Sequence, residues 1–305
     1  MDREGLKILL AFDGSDLSLE AVNYVAGLMP AAQTEVVLFY VETQISGSFW
    51  KFEHDMDFRF KAPNIRTCIT EQHKRINASL KKAQQILLDA GFPAQSITTK
   101  IQAKNLGIVN DIVRESHEGY DAVVMGRTGE SKVKDMLIGS VPNRLMHKIQ
   151  GIPMIIVGGA GRRNRILVAF DGSKEVMRAV RSMSWLLGAS DCKISFCHVF
   201  KSKSLFKKAD DPQWKESERK RLEPMISKAK ESLIDAGFAF NQISCEVLNE
   251  TNDLSGEIVH KAHSDNYDTI VIGRRGLSMY QEFLSRRVGE KIFQQAANLT
   301  VWVFG

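Results

Sequence analysis

The chain has 305 residues, 44% of them hydrophobic and 25% charged, with a net charge of +5. These are the values of an ordinary globular protein, not of a disordered one. No apolar run approaches the ~18–20 residues of a membrane span, and the basic residues alternate with acidic ones rather than clustering as a nucleic-acid footprint would.

The length predicts two domains, because single domains run ~100–200 residues. Four cysteines (Cys68, Cys192, Cys197, Cys245) form no CxxC pair. They predict buried free thiols in a reducing cytosol, not a zinc or dithiol site. The N-terminal residues lack the basic start and long apolar core of a signal peptide, so a cytoplasmic location is expected.

In chain order, residues 6–12 are a continuous apolar run ending at Asp13-Gly14-Ser15, which predicts a strand buried on both faces and then a turn. Leu17, Ala21, Val25 and Leu28 recur at helical spacing, with Ser15 or Asp16 as the cap. Residues 35–41 form a second strand, followed by an irregular stretch over roughly 42–63. Ile76, Leu80, Ala83, Leu87 and Ala90 then mark a long helix that Gly91 terminates. Strands at 96–101, 122–125 and 154–157 alternate with helices at 106–117 and 141–149.

The pattern then repeats. Ile8-Leu9-Leu10-Ala11-Phe12-Asp13-Gly14-Ser15 returns as Ile166-Leu167-Val168-Ala169-Phe170-Asp171-Gly172-Ser173. Asp89-Ala90-Gly91-Phe92 returns at 235–238, and Tyr120-Asp121 with the following Val-rich run to Gly129 returns at 267–276. Three matches in one order mean a duplicated domain. The glycine-rich join at 158–161 places the boundary, giving domains of 1–160 and 161–305. In the second copy Pro224 predicts a long helix that kinks or begins near Glu223.

Alternating strands and helices demand an α/β fold: in each copy a doubly wound parallel five-stranded sheet with right-handed crossovers. Ligands of such sheets bind beyond the strand C-termini where the order reverses. Asp13, Val41 and Gly126 all lie at such ends.

After the fourth strand the chain reads Gly126-Arg127-Thr128-Gly129, nine residues, then Gly139-Ser140-Val141. Glycines let backbone amides approach a polyphosphate, and a helix start favours an anion. Arg127, Lys132 and Lys134 are candidates to screen phosphate charge. There is neither a P-loop nor a dinucleotide glycine motif.

This spacing, the Ala-Phe-Asp-Gly-Ser strand end and the final Pro153-Met154-Ile155-Ile156-Val157 resemble the universal stress protein family, over essentially the whole chain twice. The resemblance implies the adenine nucleotide alpha hydrolase-like fold, and ATP or AMP bound by the first copy, with any Mg held through the phosphates. It implies that Asp13 and the Val41 backbone contact the adenosine, that Gly126 and Gly129 border ribose and phosphates, and that Gly139, Ser140 and Val141 hold the phosphate chain. It implies pairing of the two copies through 154–157 and 301–304, with a homodimer or a protein partner as further options.

For Asp13 the competing reading is a plain helix cap. In the second copy Gly273, Gly276, Asp171 and Val199 keep the pattern, but Arg286 and Arg287 replace Gly139 and Ser140. That copy is expected not to bind ATP. Its arginines either hold an anion or pair with Glu282 and Glu290.

Three functions stay open: a nucleotide-binding regulator; a slow ATPase or phosphotransferase with Asp13 as base or metal-side carboxylate; and a non-nucleotide adaptor or small-ligand, lipid-type binding module using the aromatic stretch Phe49, Trp50, Phe58 and Phe60. His198 is read as a core residue, His260 and His263 as surface, and Lys201, Lys203, Lys207 and Lys208 as a solvated patch.

Overall fold

The computed structural model describes residues 5–43, 56–128, 139–159, 164–188, 190–201, 212–251, 253–273, 291–296 and 298–305, with the backbone alone at 56–66, 68, 200–201, 212, 214–215 and 249–251. The first copy runs β1 (Leu6–Ala11), α1 (Asp16–Leu28), β2 (Thr34–Glu42), α2 (Met56–Asp89), β3 (Ile97–Ala103), α3 (Ile108–Ser116), β4 (Ala122–Gly126), α4 (Ser140–Met146) and β5 (Met154–Val157). The second runs β6 (Arg165–Ala169), α5 (Lys174–Leu187), β7 (Lys193–Lys201), α6 (Pro212–Asp235), β8 (Ile243–Thr251), α7 (Leu254–Ser264) and β9 (Thr269–Gly273). A helical stretch at 291–295 and β10 (Thr300–Phe304) complete it.

Adjacent residues of β1 serve opposite faces, as period-two geometry requires. Ile8 and Leu10 join a core with α1, α2, α5 and α6, whereas Leu9 joins a second core with α3, α4, α7 and 291–295. This is the three-layer arrangement that a sheet buried on both faces demands.

The two five-stranded sheets are not separate. They form one ten-stranded sheet in the order β3-β2-β1-β4-β5-β10-β9-β6-β7-β8. Every pairing within a copy is parallel, and the junction of β5 with β10 is antiparallel, with Ile155 opposite Trp302. The last strands therefore meet as expected, and the copies are related by a pseudo-twofold axis near those two residues.

The repeated Tyr-Asp pair has a structural task. Asp121 accepts from the Lys7 amide at 2.7 Å and Asp268 from the Arg165 amide at 2.9 Å, pinning the start of β4 to β1 and of β9 to β6.

Two helix boundaries correct the sequence reading. α2 begins at Met56 and carries Pro63 inside, so the residues from 56 to 63 are helical, not irregular. α6 begins at Pro212, where a missing amide costs nothing, and continues through Pro224. An interior proline costs ~3 kcal/mol. Leu222 and Leu233, buried on either side of it, contribute ~1.5–3 kcal/mol each and offset that.

Gly91, at φ +88°, ends α2, with the Phe92 amide on the Leu87 carbonyl at 3.1 Å.

Candidate functional site

The β1–α1 turn is built by side chains reading their own backbone. Asp13 Oδ1 accepts from the Ser15 amide at 3.0 Å, and Ser15 Oγ accepts from the Ser18 amide at 3.2 Å. Gly14 sits between them at φ +82°, a left-handed conformation that glycine takes without strain. The cap is thus Ser15, with Asp13 shaping the turn before it.

The second copy reproduces this arrangement. Asp171 Oδ1 accepts from the Ser173 amide at 2.9 Å, and Ser173 Oγ from the Val176 amide at 3.3 Å. Because that copy keeps the turn although Arg286 and Arg287 replace Gly139 and Ser140, the turn is first a structural unit.

β1 pairs with β2 on one side and β4 on the other, with Ala11 level with Phe39 and Met125. The strand order reverses between β1 and β4. Asp13, Val41 and Gly126 accordingly come to one edge at the switch point. Val41 is buried.

Gly126 owes its lack of a side chain to packing. A Cβ there would stand 2.7 Å from the carbonyl carbon and oxygen of Leu17 in α1. Gly273 repeats the relation, 2.8 Å from the Val176 nitrogen. The first helix of each copy sits directly on the end of the fourth strand.

Gly139 packs on the same loop. Its amide donates to the Arg127 carbonyl at 2.9 Å, and a Cβ would stand 3.3 Å from Arg127 O, Thr128 Cα and Pro142 Cδ. The expectation that the Gly139 amide faces the phosphates is corrected, since that amide closes the loop instead. Ser140 and Val141 follow as the first residues of α4, where amides have no intrahelical acceptor. Ser140 is exposed and Val141 half-buried. Gly129, Lys132 and Lys134 lie outside the described residues. So do Gly276, Glu282, Arg286, Arg287, Gly289 and Glu290, Phe49 and Trp50, the Phe58 and Phe60 side chains, and the lysine patch apart from the Lys201 backbone.

Arg127 is the main correction. Its guanidinium does not screen phosphate at the rim: it is buried in the junction between the copies. It donates to the carbonyls of Ala296 (2.7 Å), Leu299 (3.3 Å) and Phe293, and lies over the Phe293 ring at 4.8 Å. The Phe293 carbonyl lies in the last turn of the helical stretch at 291–295 and the Ala296 carbonyl just after it, where a cation is favoured. Burial pushes the guanidinium down to about 10, which leaves it charged at neutral pH. A signal for this existed in the sequence. Arg274 repeats Arg127 in the copy that has Arg286 and Arg287 in place of Gly139 and Ser140, so a structural role was legible there.

Among the discounted residues, His198 is buried with Nδ1 2.8 Å from the Phe170 carbonyl, and His260 and His263 are exposed. Cys192 and Cys197 are buried free thiols and Cys245 is partly buried. Burial pushes the Cys197 thiol up to about 12. Among the described residues no helix is long and apolar enough to cross a membrane.

The profile of the Universal stress protein family matches residues 6–158 and again 162–304. The chain belongs to the universal stress protein family. It is similar to the universal stress protein YxiE of Bacillus subtilis (strain 168), 25% identical over 159 residues, which are 50% of this chain and 97% of that one. Among solved structures, a universal stress protein from Archaeoglobus fulgidus DSM 4304 superposes with a TM-score of 0.63 at 19% identity, covering 98% of this chain and 97% of that one. A functionally unknown protein, PA1789, from Pseudomonas aeruginosa PAO1 gives 0.56 at 16%, covering 98% and 92%. At such identities the structural likeness attests the fold alone. In universal stress protein terms, this chain is a tandem, with each family unit contributing half of the continuous sheet.

Proposed function

We propose that the first copy holds an adenine nucleotide, ATP or AMP, at the switch point between β1 and β4, and that the protein acts as a nucleotide-responsive regulator. The observation that carries this reading is the convergence of Asp13, Val41 and Gly126 at that edge, where the glycine-rich segment leaves β4. Asp13 and the Val41 backbone orient the adenosine. The Ser140 and Val141 amides with the Ser140 hydroxyl hold phosphate oxygens, and Gly129, Lys132 and Lys134 complete the rim. Mg would accompany a triphosphate through its own oxygens and supply charge neutralisation there.

The regulatory output follows from Arg127. The residue that opens the phosphate loop is fastened by its side chain to the second copy. Rearrangement of the loop around a nucleotide therefore acts on the junction.

Mass spectrometry of ligand released from native protein, with calorimetric titration of ATP and AMP, tests the reading. One nucleotide per chain is expected, with binding abolished in Gly139→Arg, which places a large side chain against the Arg127 carbonyl. Failure of both nucleotides to bind at millimolar concentration, or unchanged affinity in that variant, removes the site.

A further inference from the structure

The junction of the two copies is open on one side. A groove of 260 Å³ lies between α5 and the meeting ends of β5 and β10. Gly151 and Ile152 of the first copy form one wall, Arg178, Arg181 and Ser182 of α5 the other, with Phe304 and Glu175 beside them. Residues 178, 181 and 182 share one helix face by their spacing. Both arginines are exposed, and among the described residues neither has a carboxylate within ion-pair distance.

Pseudo-symmetry shows why the groove exists. The caps Ser15 and Ser173 are equivalent, so Tyr24 and Ser182, each nine residues on, occupy the same place in α1 and α5. Tyr24 is buried and reaches across the junction to Trp302 and Thr269, both at 2.9 Å. On the other side Ser182 is too short to do this, and the residues matching Trp302 and Thr269 are Ile155 and Ala122, which ask for no polar partner. Arg178 and Arg181 stand where α1 has Glu20 and Asn23. The cationic lining therefore occurs on the side that is left open.

We propose that this groove is a binding site for a small phosphate-bearing metabolite, distinct from the nucleotide site. Paired guanidinium groups suit phosphate because their forked donors match its oxygens. Glu175 offsets one of the two positive charges, which favours a compact anion held by directed bonds. The volume falls just below the ~300–1,000 Å³ of drug-sized pockets, which suits a compact ligand. Because its walls come from both copies, a ligand there binds the docked arrangement selectively and stabilises it.

Inorganic pyrophosphate is the probe, titrated calorimetrically in low-salt buffer with the melting temperature followed in parallel. Wild type is expected to bind saturably and melt at a higher temperature. The Arg178→Ala/Arg181→Ala double variant should bind at least about tenfold more weakly, the loss of charge-assisted hydrogen bonds. Ser182→Tyr, which refills the groove as Tyr24 does on the other side, should abolish binding while circular dichroism is unchanged. Gly139→Arg, aimed at the nucleotide site, should leave pyrophosphate binding intact. No saturable binding at millimolar probe overturns the proposal. So does equal affinity in wild type and both groove variants, or loss of binding in Gly139→Arg alone.

Discussion

Trp302 donates its indole N–H to the phenol oxygen of Tyr24 at 2.9 Å, joining residues of different copies. The bond belongs to a relay of fixed direction. Thr269 donates to Asp268 Oδ1 at 2.9 Å, so its oxygen accepts from the Tyr24 hydroxyl. Asp268 in turn holds the amides of Asn164 and Arg165 at the start of β6. One polar chain inside the apolar junction thus ties α1 of the first copy to the second sheet.

Tyr24→Phe removes the middle of that chain and strands the buried Trp302 N–H. An unsatisfied buried donor costs ~1–3 kcal/mol. Urea unfolding of the full chain should show a loss of that size. A change within error would mean that the relay does not hold the junction.

Arg127→Met leaves the carbonyls of Phe293, Ala296 and Leu299 without their cation. The loss should reach ~2–3 kcal/mol, because bonds to a charged group are the stronger kind. ATP affinity, measured on the folded fraction, should change by no more than about tenfold, the size of an ordinary coupling between sites. A hundredfold loss of affinity with full stability would return the side chain to the phosphate rim.

Gly126→Ala and Gly273→Ala each drive a methyl group into the backbone of the first helix of its own copy. Overpacking of this kind costs ~1–3 kcal/mol. Both variants should melt lower, the Gly273 one included although its copy has Arg286 and Arg287 in place of Gly139 and Ser140. Destabilisation at Gly126 alone would show that packing does not account for the pair.

Acid should weaken the α3 end of the first copy. Burial pushes the Asp111 carboxyl up. The Leu106 and Asn105 amides, on its oxygens at 3.0 and 2.9 Å, outweigh that and, with Arg114, hold it below the ordinary carboxylate value. A group depressed in the folded state stabilises above its unfolded value of ~3.9, and the contribution is lost as pH falls through the folded value. Melting temperature followed from pH 6 down to about pH 3 should fall less steeply in Asp111→Asn than in wild type. Parallel curves would exclude Asp111 as a source of the acid sensitivity.

The sequence by itself determined that the chain is a duplicated α/β unit, because strand and helix periodicities are local and were written twice. It placed Gly91 at a helix end and located Asp13, Val41 and Gly126 at strand termini. It set the start of α2 too late, beyond Pro63, and left open whether α6 begins near Glu223 or passes through Pro224, since a proline's local cost is visible in one dimension while the burial that offsets it, as at Leu222 and Leu233, is not.

Only the tertiary structure decided where Arg127 points, that Gly126 is a contact with Leu17, and that one side of the junction is filled by Tyr24 and the other left open at Ser182. Each of the cross-copy contacts joins residues more than a hundred positions apart. Such contacts arise from the antiparallel meeting of β5 and β10, and nothing in local spacing records which side chains that meeting brings face to face.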